Sequence, residues 1–304
     1  MKKIISLLLV IAMVFCFAAC GNTAEEGTDA EAVSVGIAVS TLNNPFFVDL
    51  VQGAQDKADE LGINLQVADA GDDSAKQASD IEDLVSSGIQ VLIVNPCDSD
   101  AVAPAVESAI EAGVQVIAVD RVVNGVEVAC SIASDNVLGA QLAADYLVSL
   151  AGEGAVCAEL QGVLGASATV DRGAGFHNVA DSKLSVVASQ TANFNREEGL
   201  SVMEDMLQAN PEIACVFAHN DEMALGALEA LDGKDVKIAG FDATADALAA
   251  VQAGTMAATV AQQPALMGAT AVEKALALVN GEAVDASVPV EVALVTAENV
   301  ADFM

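Results

Sequence analysis

The stretch VSVGIAVSTLNNPFFVDL, Val33 to Leu50, contains one copy of the unit from which the fold is built. Seven residues rich in valine and isoleucine read as a strand, a polar turn follows, and Asn44-Pro45 supplies an N-cap with proline at the first helical position. Beyond it Phe47, Leu50, Val51, Ala54, Ala58 and Leu61 recur at the i, i+3, i+4, i+7 spacing of a core-facing helix that runs to Gly62. The same order recurs through INLQVAD, VLIVN and VQVIAVD, and after EVACSIASDN it restarts with GAVCAEL, LSVVASQ, IACVFAHN and VKIAGFD. TMAATVAQ, a helix over about 265–280 and VPVEVALV finish the chain. Parallel strands need crossover connections, which are right-handed. The alternation therefore predicts an α/β fold of two similar Rossmann-like halves, each a mostly parallel sheet flanked by helices.

Of 304 residues, 54% are hydrophobic and 18% charged, enough apolar material for folded cores and too little charge for general disorder. The opening MKKIISLLLVIAMVFCFAAC reads as an export signal, with Lys2 and Lys3 ahead of an apolar run that falls short of the ~20 residues of a comfortable bilayer span. Its ending, Phe17-Ala18-Ala19-Cys20, resembles the lipobox of bacterial lipoproteins, in which cleavage leaves the cysteine as a lipid-modified first residue. Ordinary cleavage after Ala19 is the competing reading. The polar GNTAEEGTDAE that follows suits a flexible tether, so residues 1–19 are expected to be a signal peptide and 20–32 a tether lipid-anchored at Cys20 to the outer face of the cell membrane.

The formal charge is −33, and removing Lys2 and Lys3 leaves 9 basic against 44 acidic residues, about −35. Such a field argues against nucleic acid, an anionic membrane surface or an anionic substrate as partner, and favours a neutral ligand. A sugar-responsive transcription regulator would need an amino-terminal helix-turn-helix and a basic surface, and this chain offers neither. For an enzyme, GVLGASATVDRGAG lacks the compact dinucleotide turn and reads as loop plus packing glycine, while His177 and His219 are too isolated for a triad. Cys97, Cys130, Cys157 and Cys215 are widely spaced, three of them inside apolar strand-like runs, and read as free buried thiols without zinc spacing.

In open α/β sheets ligands bind outside the carboxyl ends of the strands. Polar residues collect there: Asn43-Asn44, Asp120-Arg121, His219-Asn220-Asp221-Glu222, Asp242 and Gln262. Singly, each has a plain structural reading; Asn44, Asn220 or Asp221 could cap a helix, and Asp120, Asp242 or Gln262 could satisfy loop amides. Together they point to a site. The chain has three arginines, Arg121, Arg172 and Arg196, all in predicted loops or at helix starts, where their rigid donor forks can bridge adjacent hydroxyls. Salt bridges are the alternative, above all for Arg196 beside Glu197 and Glu198. Phe47 fits the core stripe, whereas Phe46 lies ~100° off it, poorly explained by core burial. A ring among such polar groups can stack on the C–H face of a sugar, and Phe194 in NFNR could supply another from the second half.

STLNNPFF, NPCDSDAV, VDR, IASDNVLG, RGAGF, NFNR, HNDEMALGAL, GFD and AQQP, in this order, resemble the D-ribose-binding proteins of bacterial ABC importers, within the pentose/hexose periplasmic-binding family. The similarity spans roughly 33–295. It implies a two-lobed type I periplasmic-binding fold with a three-segment hinge near Ser134-Asp135, Gln262-Gln263 and Val290-Glu291. The lobes would comprise 33–133 plus 263–290 and 134–262 plus 291–304. It also implies a pyranose stacked by Phe46, Phe47 and Phe194 and held through its hydroxyls by Asn44, Asp120, Arg121, Arg172, Asn220, Asp242 and Gln262. Arg196 becomes a candidate contact for the importer permease, which works with a cytoplasmic ATPase. His219 and Cys97 depart from the small polar residues expected there, and the acidity exceeds that expected of a periplasmic relative. The related galactose binders carry a calcium loop that GKDVKIAG lacks, so neither metal nor cofactor nor catalysis is expected. The expected ligand is D-ribose, with another neutral monosaccharide or a furanose-like signal such as autoinducer-2 as the alternative, along with a role as ligand carrier for a chemoreceptor. The protein is expected to be monomeric.

Overall fold

The computed structural model describes residues 33–231 and 233–304; the expected signal peptide, tether and Cys20 lie outside the described residues. The first half runs β1 (Ser34–Val39), α1 (Pro45–Leu61), β2 (Asn64–Asp69), α2 (Ser74–Ser86), β3 (Val91–Val94), α3 (Ala103–Glu111), β4 (Gln115–Val119) and β5 (Cys130–Ser134). The second runs α4 (Asn136–Ala151), β6 (Val156–Gln161), α5 (Ser167–Lys183), β7 (Ser185–Thr191), α6 (Arg196–Ala209), β8 (Cys215–Ala218), α7 (Asp221–Leu231), β9 (Lys237–Ala239), α8 (Ala245–Ala253) and β10 (Ala258–Ala261). The chain then forms α9 (Pro264–Val279), β11 (Ser287–Val290), β12 (Ala293–Thr296) and a short 3-10 turn, Val300–Asp302.

Two six-stranded sheets result, ordered β11-β5-β4-β3-β1-β2 and β12-β10-β9-β8-β6-β7. Every pairing is parallel except β10 with β12. The central strands β3 and β8 are buried along their whole length, as expected of parallel strands covered on both faces. The chain crosses between the sheets three times: after β5, after β10, and between β11 and β12. VPVEVALV, which reads as one apolar run, is therefore two short strands that end up on different sheets.

Each sheet carries one apolar cluster on each face. In the first lobe, Leu50, Ala54 and Ala58 of α1 and Met267, Ala271 and Val272 of α9 close over Ile37, Ile93 and Ile117. Ile81, Val106 and Ala109 of α2 and α3 cover the opposite face. Full burial of each large apolar side chain contributes roughly 1.5–3 kcal/mol, so these faces fix the sheets as platforms for the loops at their carboxyl ends. In both sheets the chain order reverses beside the first strand of the lobe, β1 or β6, which puts the topological switch point, and the crevice it makes, at those loops.

Three local expectations need correction. Leu61 is 38% exposed and the stripe of α1 closes with Ile63 instead. Phe46 is 4% exposed and belongs to the same apolar cluster as Phe47, so the ~100° phase offset does not keep it out of the core. GVLGASATVDRGAG is loop only to Ala166; from Ser167 it is α5, which places Arg172 within a helix. Gly173 and Gly175 lower the intrinsic helix preference of that stretch, and packing of α5 on α4 through Phe176, Ala140 and Ala144 overrides it.

Candidate functional site

All ten side chains expected to bind the ligand line one cavity between the two lobes. Asn44, Phe46 and Phe47 reach it from the turn after β1, and Asp120 and Arg121 from the end of β4. From the other lobe come Arg172 on α5, Phe194 after β7, Asn220 after β8, Asp242 after β9 and Gln262 after β10. Ala168, which sequence reasoning missed, completes the wall. Because both lobes wall the same space, the arrangement is the closed one.

The plain reading of Asn44 and Asn220 holds alongside the functional one. Asn44 Oδ1 accepts from the Phe46 amide at 3.0 Å and Asn220 Oδ1 from the Met223 amide at 3.0 Å, so each caps a helix while standing in the cavity wall. Asn220 Nδ2 also donates to the Phe194 carbonyl at 3.2 Å, fixing the loop that carries that ring.

The rings and guanidinium groups interleave. Phe46 and Phe47 meet edge to face, centroids 5.1 Å apart at 89°. Arg121 lies 5.2 Å from the Phe47 centroid and 5.2 Å from that of Phe194, one ring from each lobe. Arg172 sits 3.9 Å over Phe241. Its Nε donates to Asn136 Oδ1 at 2.8 Å and its Nη1 to the His219 carbonyl at 2.6 Å, while Arg121 Nη1 donates to the Pro96 carbonyl at 2.8 Å. Both forks are thereby locked before any ligand is contacted.

Two carboxyl groups face these two guanidinium groups. Asp120 Oδ2 lies 3.6 Å from Arg121 Nε, and Asp242 Oδ1 lies 3.8 Å from Arg172 Nη1 while accepting from Gln262 Nε2 at 2.7 Å. Burial pushes the Asp120 carboxyl up against the opposing pull of Arg121 and Arg172, and pushes Asp242 well above the usual range against Arg172. Burial also lowers Arg172, a shift its two aspartates oppose. The set is balanced in formal charge, which suits a neutral ligand inside a strongly acidic protein. Asp120 Oδ1, Arg121 Nε and Gln262 Oε1 are buried and find no hydrogen-bond partner among the described residues. Unpaired buried polar atoms are costly, and these two acceptors and one donor come from both lobes.

Behind the wall stand supporting residues, among which the sequence pointed only to His219. Asn95 Nδ2 donates to Asp120 Oδ2 at 3.1 Å while its Oδ1 accepts from the Ser40 amide. His219 pairs with buried Glu159 at 2.9 Å, which explains why histidine is tolerated there. Burial lowers the imidazole of His219, against the pull of Glu159. Position after a strand end was the available signal for Asn95 and His219; Glu159 and Asn136 had none. Arg196 lies outside the cavity wall, and its salt bridges run to Glu222, at 2.7 and 2.9 Å, and Asp246, at 3.0 Å, rather than to the neighbouring Glu197 and Glu198. Cys97, Cys130, Cys157 and Cys215 are free and buried, and burial pushes the Cys97 thiol up to about 12.

The model of the periplasmic binding protein domain matches residues 35–283. The chain is 46% identical over 305 aligned residues to the ribose import binding protein RbsB of Bacillus subtilis, covering 97% of this chain and 99% of that one. It is 50% identical to the Escherichia coli protein of the same name over 86% of this chain and 90% of that one. Among solved structures, the Caulobacter myo-inositol-binding protein bound to myo-inositol aligns with a TM-score of 0.85 and 34% identity, covering 89% of this chain and 95% of its own. An ABC transporter solute-binding protein from Actinobacillus succinogenes with bound D-allose gives 0.82 and 30% over 89% and 99%. The chain belongs to the periplasmic binding protein family.

Proposed function

We propose that the protein is an extracytoplasmic binding lipoprotein that captures D-ribose between its lobes and delivers it to an ABC importer. One observation carries this reading: Phe46, Phe47 and Phe194 wall the same small, charge-balanced cavity as Asp120, Arg121 and Gln262, each of which has a buried polar atom without a partner. Rings take the C–H faces of a pyranose and planar forks take paired hydroxyls. The ribose importers' binding proteins at 46% and 50% identity support the same ligand.

Residues 33–133 plus 263–290 and 134–262 plus 291–304 move as two lobes about the three crossings. Only the closed form lets both contact the sugar, so the ligand favours closure by its extra affinity for that form. The permease reads the closed shape, with Arg196 on the contacting surface. Cys20 holds the protein, a monomer without catalytic activity, to the membrane. The nearest competing reading is another neutral monosaccharide, since fold neighbours hold D-allose and myo-inositol. A thermal-shift panel of pentoses, hexoses and inositols separates them: ribose is expected to raise the melting temperature most, and a larger rise with any other member would replace it as the ligand.

A further inference from the structure

We propose that Asp221 is a positioning residue of the ligand site, holding the left-handed turn that presents Asp242 to the cavity. This rests on reading that cavity as the sugar site. Asp221 is fully buried behind the wall. Asp242 and Ala243 have φ of 122° and 58°, two consecutive non-glycine residues in a region that side chains disfavour. Such a turn persists only where its surroundings over-determine it.

Asp221 supplies several of those constraints. Its amide donates to the Phe241 carbonyl at 2.8 Å. Its Oδ2 accepts from the Thr244 amide at 2.8 Å and from Thr244 Oγ1 at 3.3 Å, and its Oδ1 accepts from Thr259 Oγ1 at 2.7 Å. The same Thr259 oxygen accepts the Ala243 amide at 3.1 Å. One carboxyl group thus fastens the amides of residues 243 and 244, directly or through one buried hydroxyl. Gly240 keeps the space free: a Cβ there would lie 2.3 Å from Asp221 Oδ1. With the turn fixed, Asp242 stands against Gln262 and Arg172.

The first lobe solves the same problem differently. Asp120 also has a positive φ, 64°, and its amide donates to the Ile132 carbonyl at 2.7 Å, as that of Asp242 does to Val260 at 2.7 Å. There Asn95 holds the carboxyl itself. Asp221 instead holds the backbone beneath its aspartate, so its effect must pass through Asp242.

The test titrates D-ribose by calorimetry into the wild type, Asp221→Ala, Asp221→Asn, Thr259→Val, Asp242→Asn and the double variant Asp221→Ala/Asp242→Asn, and follows amide exchange at Ala243 and Thr244 without ligand. Asp221→Ala and Thr259→Val are expected to weaken binding about tenfold or more and Asp221→Asn by less than about threefold, with no further loss from Asp221→Ala once Asp242 is changed. Exchange at the two amides should quicken in Asp221→Ala and Thr259→Val. Wild-type affinity in both of these variants, or an equal loss with and without Asp242, overturns the proposal. If the wild type binds no ribose, the ribose reading fails and the exchange rates alone decide the role of Asp221: quickened exchange upholds it, unchanged exchange ends it.

Discussion

The amide of Ser99 donates to the carbonyl of Gly165 at 2.9 Å, and this bond crosses from one lobe to the other. Ser167 reinforces it, its amide donating to Ser99 Oγ at 3.2 Å and its Oγ accepting from the Val122 amide at 3.1 Å. A Cβ at residue 165 would lie 1.8 Å from Asp98 Oδ2, on a side chain already tied to the amides of Asp100 and Ala101. Gly165→Ala should therefore disfavour closure by about 1–3 kcal/mol, lowering sugar affinity about fivefold or more. The melting temperature without ligand should stay unchanged. Calorimetry and thermal melting check both halves, and wild-type affinity would refute the latch.

The three phenylalanines should separate by assay. Phe46 is embedded in the first lobe's core, so Phe46→Ala is expected to cost about 3–5 kcal/mol of stability as well as sugar affinity. Phe194 is only partly buried, so Phe194→Ala should reduce affinity while moving the melting temperature by a few degrees at most. Equal losses of stability would mean that Phe194 is a core residue too.

Arg196 tests the delivery step. Its side chain is 35% exposed and shared between Glu222 and Asp246, so Arg196→Ala should cost ~1 kcal/mol of stability or less. Sugar affinity should stay within about twofold, because the residue lies off the cavity wall. Uptake through the importer should fall. Unimpaired uptake would remove Arg196 from the docking surface.

Asp221 gives the protein a pH signature. Burial pushes its carboxyl up to about 7, against 3.8 for the free group. Between those values the folded state keeps a proton that the unfolded state has released. Its contribution to stability is thus complete below the lower value and is lost as pH rises toward 7, by at most about 1.4 kcal/mol per unit. Asp221→Asn cannot titrate, so melting temperatures of wild type and variant should differ in the wild type's favour at pH 4.5 and converge or reverse by pH 7.5. A pH-independent difference would contradict the shift.

The alternation of apolar runs was enough to read two parallel-sheet halves, because strand and helix periods are local properties of the chain. The cavity wall was legible for a related reason: strand ends are visible in sequence, and the fold brings strand ends together. What stayed hidden was long-range. Asp221 looks like a helix cap until β10 brings Thr259, 38 residues later, against it. Glu159 looks like one more surface acid until His219 joins it from the neighbouring strand. The helical phase of Phe46 reflects one helix packed on a sheet, whereas the ring also packs edge to face on its neighbour Phe47 within the first lobe's apolar cluster. The first turns of helix α5 read as loop because Gly173 and Gly175 weaken the local helix signal until α4 packs on it.

The central claim is that this cavity takes ribose. Isothermal titration calorimetry of the mature protein with D-ribose, against D-xylose, D- and L-arabinose, D-allose, D-galactose and myo-inositol, tests it most directly. A single ribose site is expected, with the other sugars about fivefold or more weaker, since each misplaced hydroxyl leaves a buried polar group unpaired at a cost of about 1–3 kcal/mol. No heat with ribose, alongside tight binding of another member of the panel, would contradict it.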